Sequence, residues 1–285
     1  MIIISTKNSF DLALSVSKSM GASVVMTEVK RFPDGELYVR IAENVAWEKV
    51  MLIGNTREDA EALEFLLLLN AAKENGASSI IAFLPYFGYA RQHMIYRKGE
   101  AISSRIFTEI LSLYSDEIIT VNIHDDATRK YSSKPFNVLS AVPLIAEYFR
   151  NSKIDMVIGP DDGAMYIARG IADILGVDAD HLEKKRIDSV TVSYSEVGFD
   201  VSGKNVLLAD DIISTGGTIK KSINILRKMG AGNVYVGAVH GIFINNSGDD
   251  ISRLCSELAV TDTMPSRYSK IKIAGIITEA MKEVA

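Results

Sequence analysis

The stretch Val206-Leu-Leu-Ala-Asp-Asp-Ile-Ile-Ser-Thr-Gly-Gly-Thr218 decides how this chain is interpreted. An apolar run ends in two adjacent acids, a turn rich in hydroxyls and glycine follows, and a helical pattern begins at Ile219. Glycines let backbone N–H groups approach an anion, and a helix N-terminus adds partial positive charge. A phosphate is therefore expected to bind the loop formed by Ser214, Thr215, Gly216, Gly217 and Thr218. Asp210 and Asp211 suit sugar hydroxyls or a magnesium ion beside that phosphate.

The alternative interpretation is a tight turn that caps a helix and carries two solvated acids. The Gly216-Gly217 pair alone would favour it, because glycines are common in turns. Two acids at the carboxyl end of a strand, followed by three hydroxyls, favour a ligand site instead. In open α/β sheets, ligands bind at that end of the strands.

Composition limits the classes of function. The 285 residues predict two domains or one large domain, and 47% hydrophobic with 24% charged residues is a normal globular composition. The formal net charge of −5 argues against general nucleic-acid binding. Phosphates must therefore be bound locally, by loops and a few placed cations.

The cysteine content and the apolar runs predict a cytoplasmic protein. Cys255 is the single cysteine and has no partner in the chain for a disulfide, which fits a reducing compartment. Met1–Ser5 lacks the basic start and long apolar core of a signal peptide and predicts a first strand. The apolar stretch Phe65–Leu69 is too short to span a bilayer.

Short apolar runs alternate with amphipathic segments along the whole chain. The strand candidates are Val50–Ile53, Ile80–Leu84, Ile118–Ile123, Met156–Ile158, Val206–Ala209 and Val234–Val239. Between the first two lies a predicted helix, Glu58–Glu74, with Thr56 as its expected N-cap. Strands that alternate with helices of this length predict parallel sheets.

The chain also repeats itself. The run Val50–Gly54, a helix and Asn75-Gly-Ala77 match the run that starts at Val206, a helix and Gly230-Ala-Gly232. Farther along each half, Leu144–Glu147 resembles Ile276–Glu279. Chance recurrence of βαβ units is the alternative. We predict two related α/β domains, residues 1–141 and 142–285, each with a mostly parallel sheet flanked by helices. The closing helix, residues 274–284, is expected to pack on the first domain.

Two segments of the first half are candidates for nucleotide binding. Arg31–Glu36 is a polar turn before a predicted strand, although Pro-Asp-Gly is an ordinary turn signal. Leu84–Gln92 follows a buried strand and could be no more than a strand end with packed aromatics. In the functional interpretation, Arg91 binds a phosphate and Gln92 an adenine or ribose edge.

Three further segments carry charged or titratable groups. His124 follows an apolar run and precedes two acids, which favours a metal or phosphate contact over a purely structural histidine, although its spacing matches no zinc site. Gly159–Gly163 contains another acid pair before a helix, either a cap or a second magnesium or sugar contact. Glu183–Arg186 is either a solvated charge cluster or a mobile basic loop that closes over phosphates.

Together these segments resemble the ribose-phosphate pyrophosphokinase family, nearly from end to end and in the same order. The matching segments are Phe32-Pro-Asp-Gly-Glu36 with the adenine loop, Tyr89-Ala-Arg-Gln92 with the nucleotide segment, Ile123-His124 with the Leu-His pair, Pro160-Asp161, Lys184-Lys-Arg186 with the flexible loop, and Asp210–Thr218 with the phosphoribosyl loop. The last motif is shared with phosphoribosyltransferases. The adenine-loop and nucleotide-segment matches favour the pyrophosphokinases over the phosphoribosyltransferases.

The resemblance implies a fold of two phosphoribosyltransferase-like domains, the first on the ATP side and the second on the ribose 5-phosphate side. It implies transfer of the diphosphoryl group of ATP to the C1 hydroxyl of ribose 5-phosphate, with Mg²⁺ as cofactor. By resemblance, ATP is bound by Phe32, Asp34, Glu36, Arg91, Gln92 and His124. The first three would come from a neighbouring subunit, so a homodimer or larger homo-oligomer is expected, without nucleic acid or membrane partners.

The resemblance also assigns the remaining site residues. Ser214–Thr218 would hold the 5-phosphate, and Asp210 and Asp211 the ribose hydroxyls. Magnesium would lie by His124 and Asp161. The catalytic residues would be Lys184 and Arg186, which steady the charge of the transition state, with His124.

Five positions depart from the family pattern. Asn122 stands in place of an acid, Asp125 of an alanine, Asp162 of a histidine, Ser214 of an aspartate and Gly216 of an alanine. Two alternative functions stay open. A phosphoribosyltransferase would use the same phosphate loop but leaves the first half of the chain unexplained. A non-catalytic regulatory relative is disfavoured by the presence of His124, Lys184 and Arg186.

Overall fold

The computed structural model describes residues 1–182 and 198–282, together with the backbone of Lys184–Arg186, Val192–Tyr194 and residue 283. Residue contacts divide the chain into two compact units. The first comprises Met1–Ser140 and the segment from Ala274 onward, and the second comprises Ala141–Ile273. No helix within the described residues combines the length and apolarity that a membrane span requires.

A six-stranded parallel sheet forms the centre of the first unit. Its elements are β1 (Ile2–Ser5), α1 (Phe10–Met20), β2 (Ser23–Val25), β3 (Thr27–Arg31), β4 (Leu37–Ile41), β5 (Lys49–Ile53), α2 (Asp59–Glu74), β6 (Ser79–Leu84), α3 (Ser103–Tyr114), β7 (Glu117–Val121) and β8 (Phe136–Leu139). The strand order is β2-β1-β5-β6-β7-β8, with all neighbours parallel. Strands β3 and β4 form a separate antiparallel hairpin.

The second unit repeats this plan. Its elements are α4 (Val142–Phe149), β9 (Met156–Gly159), α5 (Met165–Leu175), β10 (Asp178–His181), β11 (Lys184–Arg186), β12 (Val192–Tyr194), β13 (Val206–Ile213), α6 (Gly217–Lys228), β14 (Val234–Gly241), α7 (Ser247–Ser252), β15 (Glu257–Thr261) and β16 (Ser269–Ile271). The order β10-β9-β13-β14-β15-β16 is again parallel and matches the first sheet strand for strand. The predicted fold class is confirmed.

The central strands form because their apolar runs are covered on both faces. Val50–Ile53 and Val206–Ala209 are fully buried, as expected for strands between two helical layers. The prediction that the strand starting at Val206 ends at Ala209 was wrong, however. Strand β13 continues through both acids to Ile213, because β14 pairs with it as far as Ile213 and Gly241. Asp210 and Asp211 therefore lie within the strand.

The start of α2 also differs from the prediction. Glu58 is the N-cap and shares a capping box with Glu61, so the prediction of Thr56 as N-cap was wrong. The Thr56 hydroxyl instead accepts a hydrogen bond from the N–H of Gly88 at 2.9 Å. Asn55 does the same for the N–H of Tyr86, through its side-chain oxygen at 2.7 Å. These two side chains tie the loop after β5 to the loop after β6.

The last helix, α8 (Ala274–Glu283), belongs to the first unit and packs against α1. In the second unit, α4 packs against α5. Helices α1 and α5 are equivalent, because each follows the strand second in its sheet order. The helix that comes after β8 in the chain is thus part of the second unit, and the helix that comes after β16 is part of the first.

Candidate active site

The predicted phosphate loop connects β13 to α6. Two hydrogen bonds hold the backbone of this loop. The carbonyl oxygen of Ser214 accepts them from the N–H of Ile244 at 3.0 Å and the hydroxyl of Ser247 at 2.9 Å. Gly216 has φ +70°, and a Cβ atom there would lie 2.8 Å from Cδ1 of Ile251. Only glycine fits this position without strain.

Unused hydrogen-bond donors face outward from this loop. The hydroxyls of Ser214, Thr215 and Thr218 make no hydrogen bond with any other residue that the structure describes. The first N–H groups of α6 lack intrahelical partners, as at every helix N-terminus, and Lys220 donates the first backbone bond, to Gly216 at 2.9 Å. The loop therefore presents hydroxyl and amide donors on the positive end of a 12-residue helix, the arrangement that binds a phosphate.

Acidic side chains lie beside the loop, within the last half of β13 and just after β9. Asp210 is half-buried, and its Oδ1 accepts a hydrogen bond from the N–H of Asp211 at 2.9 Å. Burial, together with the carboxylates of Asp211 and Asp161, raises the pKa of Asp210 well above its usual range. Carboxyl oxygens at this edge suit the hydroxyls of a sugar, from which they can accept hydrogen bonds.

The two acids after β9, Asp161 and Asp162, differ in exposure and in the groups near them. Asp161 is half-buried and acts electrostatically on Asp210, whereas the side chain of Asp162 is 93% exposed. Asp162 lies 3.9 Å from Nε2 of His181, at the end of the neighbouring strand β10. The sequence pattern did not single out His181, which ends the polar strand Asp178–His181. Within the described residues, no group of three or more His, Cys, Asp or Glu side chains is arranged to hold a metal.

In the first unit, the segment with Arg91 and Gln92 follows β6. Its start is anchored by Tyr89, whose ring stacks on Phe107 with centroids 4.4 Å apart and whose hydroxyl donates to Asp59. The amide of Gln92 donates to the carbonyl of Met94 at 2.9 Å and to Glu100 at 3.1 Å. The guanidinium of Arg91 is exposed and has no partner among the described residues.

His124 lies beyond the end of β7, after Asn122, which turns the chain with φ +39°. Its side chain is exposed. The next residue, Asp125, contacts Nε2 of His93 at 3.0 Å. The fold therefore brings the segments of Arg91 and His124 together through His93, which the sequence alone did not single out.

The hairpin β3–β4 carries the predicted adenine loop at its tip. The guanidinium of Arg31 donates to the carbonyl of Gly35 at 2.6 Å, and Asp34 accepts from the N–H of Glu36 at 3.2 Å. The ring of Phe32 is 46% exposed and meets Tyr38 edge-on at 5.7 Å. Phe32, Asp34 and Glu36 are therefore displayed to solvent on an ordered turn.

The predicted basic loop is only partly described. The backbone of Lys184–Arg186 forms β11, which pairs antiparallel with β12. The side chains of Lys184 and Arg186 lie outside the described residues, so their predicted contacts with phosphates stay predictions.

Comparison with known proteins follows the same division of the chain. A family model of the N-terminal domain of ribose phosphate pyrophosphokinase matches residues 1–114, and a phosphoribosyl transferase domain model matches residues 141–253. The ribose-phosphate pyrophosphokinase of Thermoplasma acidophilum is 45% identical over 98% of this chain and 98% of its own length. That of Thermoplasma volcanium is 43% identical over 100% and 99%. The crystal structure of phosphoribosylpyrophosphate synthetase from Mycobacterium smegmatis superposes with a TM-score of 0.88, at 28% identity over 99% of this chain and 98% of that one.

Proposed function

Because this chain belongs to the ribose-phosphate pyrophosphokinase family, we propose that it transfers the diphosphoryl group of ATP to the C1 hydroxyl of ribose 5-phosphate. The products are 5-phosphoribosyl 1-diphosphate and AMP. The observation that carries the proposal is the loop between β13 and α6, which follows Asp210 and Asp211 and whose hydroxyls have no hydrogen-bond partner among the residues described.

Ribose 5-phosphate binds the second unit. Its phosphate accepts hydrogen bonds from Ser214, Thr215 and Thr218 and from the N–H groups at Gly216 and Gly217. The carboxyl groups of Asp210 and Asp211 accept hydrogen bonds from the ribose hydroxyls. Such contacts stabilise the charged carboxylate and so oppose the burial that raises the pKa of Asp210. Binding of the sugar thus offsets part of the cost of burying the Asp210 carboxylate.

ATP binds groups carried by the first unit. The exposed guanidinium of Arg91 neutralises phosphate charge, and Gln92 recognises an edge of the nucleotide. Phe32 offers an aromatic face for adenine, while Asp34 and Glu36 accept hydrogen bonds. By analogy with the family, this hairpin tip serves a neighbouring subunit, which requires a homodimer or a larger homo-oligomer.

Asp161 and His124 are the residues that would hold Mg²⁺. The carboxyl groups of Asp161, Asp210 and Asp211 support the part given to Asp161, because burial and the neighbouring carboxylates together raise the pKa of Asp210. Oxygen ligands of this kind are the ones that Mg²⁺ prefers. When bound, the metal ion neutralises the phosphate oxygens of ATP and polarises the phosphorus that is attacked.

The reaction depends on positioning and charge neutralisation. The oxygen of the C1 hydroxyl attacks the β-phosphorus of ATP. As this bond forms, the bond from the β-phosphorus to the oxygen that bridges it to the α-phosphate breaks, AMP leaves with that oxygen and the bonding electron pair, and the hydroxyl proton passes to water. The loop holds the sugar by its phosphate, so that the C1 oxygen keeps a fixed direction. Lys184 and Arg186 supply positive charge to the oxygens of the transferring group.

Phosphorus NMR of the purified protein with ATP, magnesium and ribose 5-phosphate tests the proposal. New signals of phosphoribosyl diphosphate and AMP, absent without the sugar, are the expected result. Intact ATP under these conditions would contradict the proposal. Adding phosphoribosyl diphosphate and a nucleobase would then test a phosphoribosyltransferase, and no reaction in either mixture would indicate a regulatory relative.

The basic loop has its own test. Lys184→Ala is expected to lower turnover by about 10²–10³-fold, the usual effect of removing one group that stabilises transition-state charge. The affinity for ribose 5-phosphate, measured by calorimetry, is expected to change little, because the sugar phosphate binds elsewhere. Undiminished turnover would contradict the role given to Lys184.

A further inference from the structure

We propose that His93 is a positioning residue, which acts through Asp125 to hold the segment of Arg91 and Gln92 against the segment of His124. The inference rests on the function proposed above, in which both segments bind ATP. His93 itself is given no contact with substrate. Its role is to fix the separation of two groups that must reach the same nucleotide.

The contact between the two side chains is short and sheltered. Nε2 of His93 lies 3.0 Å from Oδ2 of Asp125, and the two side chains are 12% and 32% exposed. A hydrogen bond to a carboxylate is stronger than one between neutral groups, and partial burial reduces its screening by salt. The pair is therefore able to hold two loop segments in register, which an exposed surface pair is not.

Asp125 is itself firmly placed. Its Oδ1 accepts a hydrogen bond from the N–H of Ala127 at 2.8 Å and caps the short 3₁₀ helix Asp126–Tyr131. From the end of that helix, the hydroxyl of Tyr131 donates to the carbonyl oxygen of His93 at 3.2 Å. One residue of the first segment is thus held twice, by its ring and by its backbone, from two points of the second segment.

The neighbours of His93 explain why this matters for ATP. The Arg91 guanidinium has no partner among the described residues, so its direction depends on the backbone that carries it. Gln92, directly before His93, turns its amide to Met94 and Glu100. Asp125 in turn directly follows His124. Loss of the His93–Asp125 contact would therefore let the backbone that carries Arg91 shift relative to His124.

The pair also gives a reason for one departure from the family pattern. Asp125 stands where the pattern has alanine, whose side chain has no atom able to accept a hydrogen bond from His93. The aspartate and its histidine partner form one contact across 32 positions of sequence. The contact therefore does not follow from the shared motifs, which have alanine at the position of Asp125.

Variants of the full chain separate positioning from plain stability. His93→Ala removes the ring. Asp125→Ser removes the contact but keeps a side-chain oxygen that can cap the 3₁₀ helix. His93→Gln places a donor nitrogen the same number of bonds from the backbone, and the double variant His93→Ala/Asp125→Ser completes a cycle. Asp126→Asn is the matched control, because this neighbouring acid is exposed and contacts Arg129 and not His93.

We expect His93→Ala and Asp125→Ser each to raise the KM for ATP and the calorimetric Kd of ATP about tenfold, as loss of one charge-assisted hydrogen bond would. The KM for ribose 5-phosphate and the melting temperature should change little. His93→Gln should restore most of the affinity for ATP, the double variant should be no worse than either single variant, and Asp126→Asn should match the unchanged protein.

Three outcomes would overturn the proposal: unaltered ATP affinity in both single variants, equal losses for both substrates that follow a lower melting temperature, or additive effects in the double variant. Failure of the proposed function is distinguishable from these outcomes. It would appear as absence of turnover in the unchanged protein, whereas the Kd of ATP reports on the His93–Asp125 contact without any reaction.

Discussion

At the scale of single residues, Asp210 shows how the site opposes the stability of the fold. Its carboxyl group is half-buried beside those of Asp211 and Asp161, and its pKa is raised. A carboxyl group of this kind favours the fold while it is protonated. Its contribution is fully present below the unfolded pKa of about 3.9 and is lost as the pH rises through the folded value.

Asp210→Asn is therefore expected to melt at a higher temperature than the unchanged protein once the pH exceeds the raised pKa. The difference should reach roughly 3 °C or more, the shift that about 1 kcal/mol produces in a domain of this size. Melting curves in chelator-containing buffer from about pH 4 to about pH 9 measure it. Asp173→Asn, at an exposed acid of α5, is the control. A difference that does not grow with pH would refute the electrostatic explanation.

A second prediction at this scale concerns Gly216. Gly216→Ala combines a φ of +70° with a Cβ atom 2.8 Å from Ile251 and should lower the free energy of unfolding by about 2–4 kcal/mol. Gly217→Ala is the matched control for stability, because its nearest contact would be Thr215 Oγ1 at 3.8 Å. Denaturant titration of both variants checks the difference. Equal stabilities would show that the turn adapts to a side chain.

At the scale of elements, equivalent loops in the two sheets have different uses. After β13, the hydroxyls of Ser214, Thr215 and Thr218 lie at a helix N-terminus and have no hydrogen-bond partner in the part of the chain that the structure describes. After β5, the side chains of Asn55 and Thr56 are buried and bind the backbone of the loop that follows β6. The first unit therefore uses polar side chains for structure, whereas the equivalent side chains of the second unit are available to a ligand. The difference arises because Asn55 and Thr56 bind a neighbouring loop through their side chains, whereas Ser214 is bound through its backbone carbonyl oxygen.

Gly88 is the critical position of the contact in the first unit. A Cβ atom there would lie 1.9 Å from the carbonyl oxygen of Thr56, so Gly88→Ala should lower the free energy of unfolding by about 3 kcal/mol or more. Gly275→Ala, in α8 of the same unit, meets nothing within 4 Å and should be neutral or slightly stabilising. Chemical denaturation distinguishes the two. A mild effect of Gly88→Ala would mean that the two loops separate easily.

At the scale of the whole molecule, the two sheets have the same strand order, but each unit is completed by a helix from elsewhere in the chain. Helix α8 comes after β16 and packs on α1 in the first unit, while α4 comes after β8 and packs on α5 in the second. The first unit is thus closed by the last residues of the chain, so its stability depends on a segment far from the rest of its sequence.

Ile277, 1% exposed in α8, tests this dependence. Ile277→Ala should cost about 2–5 kcal/mol, as other large-to-small changes in cores do, and should loosen the first unit more than the second. Hydrogen exchange followed by mass spectrometry is expected to show faster exchange in α1 than in α5 relative to the unchanged protein. Ile174→Ala, at a 39% exposed position of α5, serves as control. Faster exchange in α5 alone would contradict the assignment of α8 to the first unit.

The sequence by itself determined the sheets and the candidate site loops. Apolar runs marked the central strands, and the repeat marked two related units, because burial on both faces of a strand requires an unbroken apolar segment. Gly216 and the hydroxyls around it marked the candidate phosphate loop, because local backbone geometry and donor groups are encoded by adjacent residues.

Only the tertiary structure decided which distant groups meet. The extension of β13 through Asp210 depends on pairing with β14, and the use of Thr56 depends on the backbone at Gly88. The influence of Asp161 on Asp210 and the contact of His93 with Asp125 join segments that are far apart in sequence. Local patterns specify burial and dihedral angles, whereas proximity between charges arises only when strands and helices have packed.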